Sequence, residues 1–134
     1  MDPGQALADL KQISAQVQEA VIFEETGSVV AATLGDDRAP AMADAGRRLL
    51  EAAGRMDEKP VVQIEAVLRE GSVVVVREGG NAIVATTVPD PIVGLIFYDL
   101  RTCLRTLGEV EEKPRRRAPA RRKKTESADG GASA

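Results

Sequence analysis

The sequence predicts an α+β fold: an α/β sandwich in which a five-stranded, mostly antiparallel sheet is flanked by three helices, in the order α-β-β-α-β-β-β-α. Three observations predict it. Apolar residues recur at helical spacing near both ends of residues 1–108 and again in the middle. The runs between them are short, rich in β-branched residues and separated by glycine-bearing turns, which gives one hairpin and one three-stranded meander. Apolar residues make up 43% of a 134-residue chain, enough for one core and too little length for a second folded domain.

Asp2 is placed to cap a first helix, with Pro3 at its first position and Gln5 reaching back to complete a capping box. Ala6, Leu10, Ile13 and Val17 form its apolar stripe. Ala20 to Phe23 and Ser28 to Leu34 read as strands joined through Glu24-Glu25-Thr26-Gly27, where glycine supplies a positive φ. Gly35-Asp36-Asp37 ends the second strand and offers caps for a helix from Ala39 to Arg55, with Pro40 in its first turn.

At 100° per residue, Asp44, Arg47, Arg48, Glu51 and Arg55 of that central helix fall in one arc of about 100°, and apolar or small residues take the rest. Its own sheet accounts for one flank. The small residues Ala45, Gly46, Ala52 and Ala53 leave room for a second helix, most simply a copy of itself across a two-fold axis. A loosely packed alanine-rich face is the plainer alternative.

Val61 to Leu68 alternates, with Val62, Ile64, Ala66 and Leu68 on a buried side and Gln63, Glu65 and Arg69 opposite. Glu70-Gly71 turns the chain into Val73 to Val76, an unbroken apolar run that suits a strand covered on both faces. Residues Arg77 to Asn81 turn it again into Ala82 to Val88. After Pro89-Asp90-Pro91, the positions Leu95, Ile96, Leu100, Cys103, Leu104 and Leu107 define a last helix, which Gly108 is placed to end.

Charge divides the chain unevenly. Residues 1–108 hold 10 Lys/Arg and 16 Asp/Glu, net −6, whereas residues 109–134 hold 8 and 5, net +3. The second segment lacks a periodic apolar pattern and is expected to be a disordered tail with a basic cluster at 113–124. Histidine is absent, which removes imidazole metal sites, Ser-His and Cys-His nucleophile systems and a base titrating near neutrality. The single cysteine, Cys103, excludes an internal disulfide and a thiolate cluster. No catalytic, metal or cofactor-binding residues are assigned, and no small-molecule substrate is expected. The N-terminus lacks the features of a signal peptide and no apolar run approaches a membrane span, so a cytoplasmic location is expected.

The hairpin Val17 to Gly35, the alanine-rich central helix, the meander and the closing stretch Pro91 to Leu107 together resemble the Roadblock domain of dynein light chains and of bacterial regulators of small Ras-like GTPases. The resemblance covers about residues 5–108 and rests on the whole order of elements; the Gly-Leu entry into the last helix is its closest local match. It implies a homodimer in which central helices pack together and third strands join two sheets. By position, it puts Met42, Ala45, Gly46, Leu49 and Ala53 at the helix contact and Gln63, Ile64 and Glu65 on the joining strand. It further implies a non-enzymatic regulator or scaffold that binds a small GTPase and modulates its nucleotide cycle, acting by positioning rather than by chemistry of its own.

Arg47, Arg48 and Arg55 are candidate partner contacts, and a solvated polar face explains them equally well. Cys103 reads as a small buried hydrophobe, and Gly79-Gly80 as a turn without the lysine of a phosphate loop. Arg115, Arg116, Arg117, Arg121, Arg122, Lys123 and Lys124 are candidate anion contacts, to nucleic acid or an anionic membrane, but no aromatic is interleaved for base stacking. The plainer reading of the tail is a solubilising extension, or one that folds back onto the acidic body. An adaptor without a GTPase, or a nucleic-acid- or membrane-associated protein acting through the tail, are the alternative functions.

Overall fold

Asp2 opens the first helix as the spacing predicts: its carboxylate accepts from the Gln5 amide at 3.1 Å, with Pro3 in the first turn. The structure is a computed structural model that describes residues 2–116, with side chains through Gly108. Its elements are α1 (Pro3–Ile13), β1 (Val17–Glu24), β2 (Val29–Ala32), α2 (Ala39–Gly54), β3 (Gln63–Leu68), β4 (Gly71–Glu78), β5 (Asn81–Thr87) and α3 (Val93–Arg116). The order of elements is the expected one.

The strands form one sheet in the order β2-β1-β5-β4-β3, and every neighbouring pair is antiparallel. The hairpin and the meander join through β1 and β5, which pair from Val17 opposite Thr87 to Glu24 opposite Asn81. On one face, Leu7 and Leu10 of α1 and Ile96, Leu100 and Leu104 of α3 pack on Ile22, Val74, Val76 and Ile83. On the other, Ala39, Ala43 and Leu50 of α2 cover Val21, Phe23, Val75 and Val84. Alternate residues of β4 thus feed two cores, which is why its sequence is an unbroken valine run. The buried polar groups Ser72 and Thr87 satisfy one another: the Ser72 amide donates to Thr87 Oγ1 at 3.0 Å, and that hydroxyl donates to the Val88 carbonyl at 2.8 Å.

Five local expectations need correction. Val17 does not extend the α1 stripe: the helix stops at Ile13, which is 66% exposed, and Val17 is buried in β1. Its pairing with Thr87 starts the longest ladder in the sheet, which a further helical turn would forfeit. Gln5 does not close a capping box, because its amide donates to Asp9 Oδ1 one turn on, at 2.9 Å. Asp36 and Asp37 do not cap α2; Arg38 holds the N-cap position without a side-chain bond, and the Gly35 carbonyl accepts from the amides of Arg38 and Ala39, both at 3.0 Å.

Val62 and Leu68, expected on a buried side, are 53% and 58% exposed. Val62 lies just before an edge strand and Leu68 at its end, and within the strand only Ile64 and Ala66 are half-covered. Gly108 does not end the last helix, which continues to Arg116. Glycine inside a helix costs about 1 kcal/mol relative to alanine, which by itself does not end a helix. Of the tail expected from Glu109, residues 109–116 therefore continue α3, and 117–134 lie outside the described residues. No helix among the described residues is long and apolar enough to cross a membrane.

Candidate functional site: the outer flank of helix α2 and the free edge of strand β3

Helix α2 turns Ala39, Ala43, Gly46 and Leu50 toward the sheet. Gly46 is the point of closest approach, since a Cβ there would meet Val84 Cβ at 3.0 Å and the Phe23 ring at 3.1 Å. This corrects one expected interface residue: Gly46 makes room for its own sheet and does not face outward. The physical reason lies in the ring of Phe23, which occupies the space a larger helix residue would need.

With the inward side fixed, the other positions follow from 100° per residue. Ala41, Ala45, Arg48 and Ala52 are exposed on the outward side. Met42, Leu49 and Ala53 are half-buried on one flank, and Arg47 lies on the opposite flank beside the β1–β2 turn, its side chain 3.5 Å from where a Cβ on Gly27 would stand. The expected helix-contact set thus reduces to Met42, Ala45, Leu49 and Ala53, which form one continuous small and apolar strip.

The arginines are not equivalent. Arg47 is clamped by Asp44 at 2.8 Å and Glu51 at 2.7 Å. The hydrogen bond from Arg47 lowers the pKa of Asp44, and the reciprocal bond raises that of Arg47. Arg48 also reaches Asp44, at 2.8 Å, but is 74% exposed and stands among the outward alanines. Arg55 is exposed at the helix C-cap. Arg115 and Arg116 fall in the last turn of α3, and Arg117, Arg121, Arg122, Lys123 and Lys124 lie outside the described residues.

Strand β3 pairs with β4 on one side and ends the sheet on the other. Ile64 is half-buried against the α2 core, while Gln63 and Glu65 point to the opposite face. There Gln63 accepts a hydrogen bond from Arg101 of α3, and Glu65 Oε2 accepts from Ser72 Oγ at 3.0 Å. Arg77 of β4 fastens the approach to β3, its amide donating to the Val62 carbonyl at 2.8 Å and its guanidinium to the Val61 carbonyl at 2.7 Å. The free edge carries exposed Val62, Val67 and Leu68, Val67 at 75%. Sequence reasoning missed Val67 as a surface residue and Ala41 as an outward one. The signal for Val67 was present, because within Gln63–Leu68 it is the one apolar residue on the Gln63 and Glu65 side.

A cleft of about 220 Å³ lies beside α2, lined in part by Phe23, Glu25, Arg47, Leu50 and Arg77. Both of its guanidinium groups are already engaged, Arg47 by two carboxylates and Arg77 by a carbonyl. The arrangement has the character of a binding face: an uncovered helix flank and an unpaired strand edge.

Comparison of the sequence with protein-family models gives no match, and comparison with curated proteins gives none. Comparison with solved structures gives many. A three-layer sandwich with a five-stranded antiparallel sheet, one helix on one face and two on the other, defines the fold class, and the particular fold is that of the Roadblock/LC7 domain. A Roadblock/LC7 domain from Streptomyces avermitilis superposes with a TM-score of 0.74 at 19% identity, over 83% of this chain and 98% of that one. MglB from Myxococcus xanthus gives 0.70 at 11% identity, over 84% and 89%. An MglB structure described as having a tetrameric arrangement gives 0.63 at 12% identity, over 83% and 88%.

Proposed function

We propose that this chain is a non-enzymatic homodimeric regulator or scaffold that binds a small Ras-like GTPase and modulates its nucleotide cycle. A Roadblock-type regulatory role is the coarser part of the reading, and the fold and its MglB neighbours support it. The observation that carries the finer part is the pairing of an uncovered flank of α2 with an unpaired β3 edge bearing exposed Val62, Val67 and Leu68. A two-fold copy satisfies both at once: helix against helix at Ala45, Leu49 and Ala53, and strand against strand at β3, so that two sheets become one.

Such a dimer offers a partner a rigid platform. Any effect on GTP hydrolysis then comes from holding the GTPase's own groups in a productive arrangement, because phosphoryl transfer depends mainly on positioning and electrostatic stabilisation. Arg47 would have to leave two carboxylates to act on a nucleotide, so Arg48 and Arg55 are the more available contacts.

The test is a pull-down from native lysate with the full chain as bait, in the presence of GDP or a non-hydrolysable GTP analogue. Capture of a small GTPase in a nucleotide-dependent way is the expected result. Partners retained without regard to nucleotide would favour an adaptor without a GTPase instead.

A further inference from the structure

Away from α2, a second groove runs between α1 and α3, which lie antiparallel: Cys103 Sγ sits 3.7 Å from the Ala6 carbonyl, and the Ile92 amide donates to Gln16 Oε1 at 2.8 Å near the other end. Leu10, Ile13 and Cys103 form an apolar lining, and Asp9, Asp99 and Thr102 stand along it. One step of about a turn from the Ala6–Cys103 contact brings Asp9 and Asp99 to the same level, one on each helix.

The electrostatics of this groove are unfinished. Asp99 is only 9% exposed, and among the described residues no hydrogen-bond donor or cation reaches its carboxylate. Asp9 receives only the neutral amide of Gln5. The nearby cations are committed elsewhere, with Lys11 donating to the Gln18 carbonyl and Arg101 and Arg105 turned to Glu78. Two carboxylates at one level of a partly apolar groove, with no cation among the described residues paired to either, set a negative potential that a basic segment complements.

The chain itself carries the matching group. Helix α3 rises about 1.5 Å per residue, so Arg116 stands ~15 Å past Thr106 and ~26 Å past Asp99 along the helix axis. An extended chain covers about 3.3 Å per residue, so the five to eight residues that follow Arg116 in the sequence are long enough to span the distance back to the levels of Thr106 and Asp99. No acidic residue lies between Lys113 and Lys124 to compete. A tether this short also gives the segment an effective concentration near the millimolar range.

We propose that residues 117–124 fold back into the α1–α3 groove, with the basic heads of Arg121 to Lys124 against Asp9 and Asp99 and their aliphatic stems over the apolar lining. The groove is thereby a self-occupied site. Long basic side chains suit it because they cover apolar surface while delivering charge.

Cys103 is the only cysteine and lines the groove, so its alkylation by a small neutral reagent reports whether the groove is covered. The full chain is compared with a variant carrying Arg121→Gln, Arg122→Gln, Lys123→Gln and Lys124→Gln, and with Asp9→Asn/Asp99→Asn, each at low and high salt, with rates expressed per thiolate from their pH dependence so that changes in the Cys103 pKa drop out. Neutralising the four cations is expected to speed alkylation about fivefold at low salt, the scale of exposed ion pairs acting together, and high salt should erase the difference. In the Asp9→Asn/Asp99→Asn background the tail substitutions should add nothing. The tail variant leaves the described residues untouched, so it remains informative if the aspartate variant fails to fold. An unchanged rate in the tail variant overturns the proposal. So does an effect that fades on dilution, which would place a neighbouring molecule's tail in the groove, and so do tail and aspartate effects that simply add.

Discussion

Gly46 of α2 and Val84 of β5 lie so close that a Cβ built on the glycine would come within 3.0 Å of the valine Cβ. The Phe23 ring closes the same space at 3.1 Å, so neither neighbour can give way alone. Gly46→Val is expected to lose about 2 to 3 kcal/mol of stability through overpacking, which outweighs the few tenths of a kcal/mol of helix propensity that valine gains over glycine. Gly46→Ala should lose less, because the helix gains up to ~1 kcal/mol from alanine against a smaller clash. Urea unfolding at several protein concentrations checks both the size and the origin. A loss inside the protomer appears at every concentration, whereas a residue on a subunit contact would act through the monomer–dimer equilibrium.

The fold was legible because period and turn chemistry agreed along most of the chain. The three-and-four spacing of Ile96 to Leu107 and the valine run of β4 each had one reading, and the structure follows it, though Leu95 at the start of the stripe is 50% exposed. What was not legible depended on orientation. Nothing in the composition of α2 says which small residue meets Phe23, and only the packed sheet assigns Gly46 inward and Ala45 outward. The edge position of β3 likewise decides that Val62 and Leu68 are exposed despite a pattern that suits burial. The Asp9–Asp99 groove was invisible for the same reason, since it brings together residues from the two ends of the domain.

Gly71 is the least replaceable turn residue. Its φ is +146°, and a Cβ would stand 1.9 Å from the Thr87 carbonyl oxygen, which belongs to the backbone of the neighbouring strand. Gly71→Ala is expected to cost more than ~3 kcal/mol or to prevent folding. Gly79, with φ +65° and open space around it, offers the control: Gly79→Ala should cost only about 1 kcal/mol, from conformation alone. Thermal melts of the two variants side by side distinguish steric from conformational loss.

Asp44 offers a local test of the arginine clamp. Its carboxyl titrates below the ordinary value because Arg47 donates to it, with Arg48 adding charge attraction. Arg47→Gln is expected to move the Asp44 pKa upward, as read by NMR titration of its side-chain carboxyl. A group with a depressed folded pKa contributes stability above its unfolded pKa and loses it as pH falls through the folded value. Acid sensitivity from this cluster should therefore weaken in the variant.

Burial pushes the Cys103 thiol up from 9.0 to about 11, with the charge of Asp9 contributing in the same direction. A raised thiol pKa means that the folded state holds its proton more tightly than the unfolded chain. The associated stability is complete below pH 9 and is lost as pH rises from 9.0 toward about 11, amounting to ~2 kcal/mol at the upper end. Cys103→Ala removes the titrating group, so the difference in stability between parent and variant should change with pH only in that window. Urea unfolding in steps from pH 8 to pH 11 makes the comparison.

Ala45 and Val67 decide whether the outer flank of α2 and the β3 edge are where two copies meet. Both are exposed in the protomer, Val67 at 75%, so charged replacements there leave the two cores intact. In the proposed dimer, Ala45→Glu would set two carboxylates against each other between the helices, and Val67→Lys would put an ammonium on the edge proposed to pair. Each is expected to convert a dimer to a monomer in sedimentation velocity while changing far-ultraviolet dichroism little, and the pair should do so more completely than either alone. Arg47→Gln, on the opposite flank of the same helix, should leave the assembly unchanged. A protein that remains dimeric with both Ala45→Glu and Val67→Lys uses another face, and a platform built on this one would have to be abandoned.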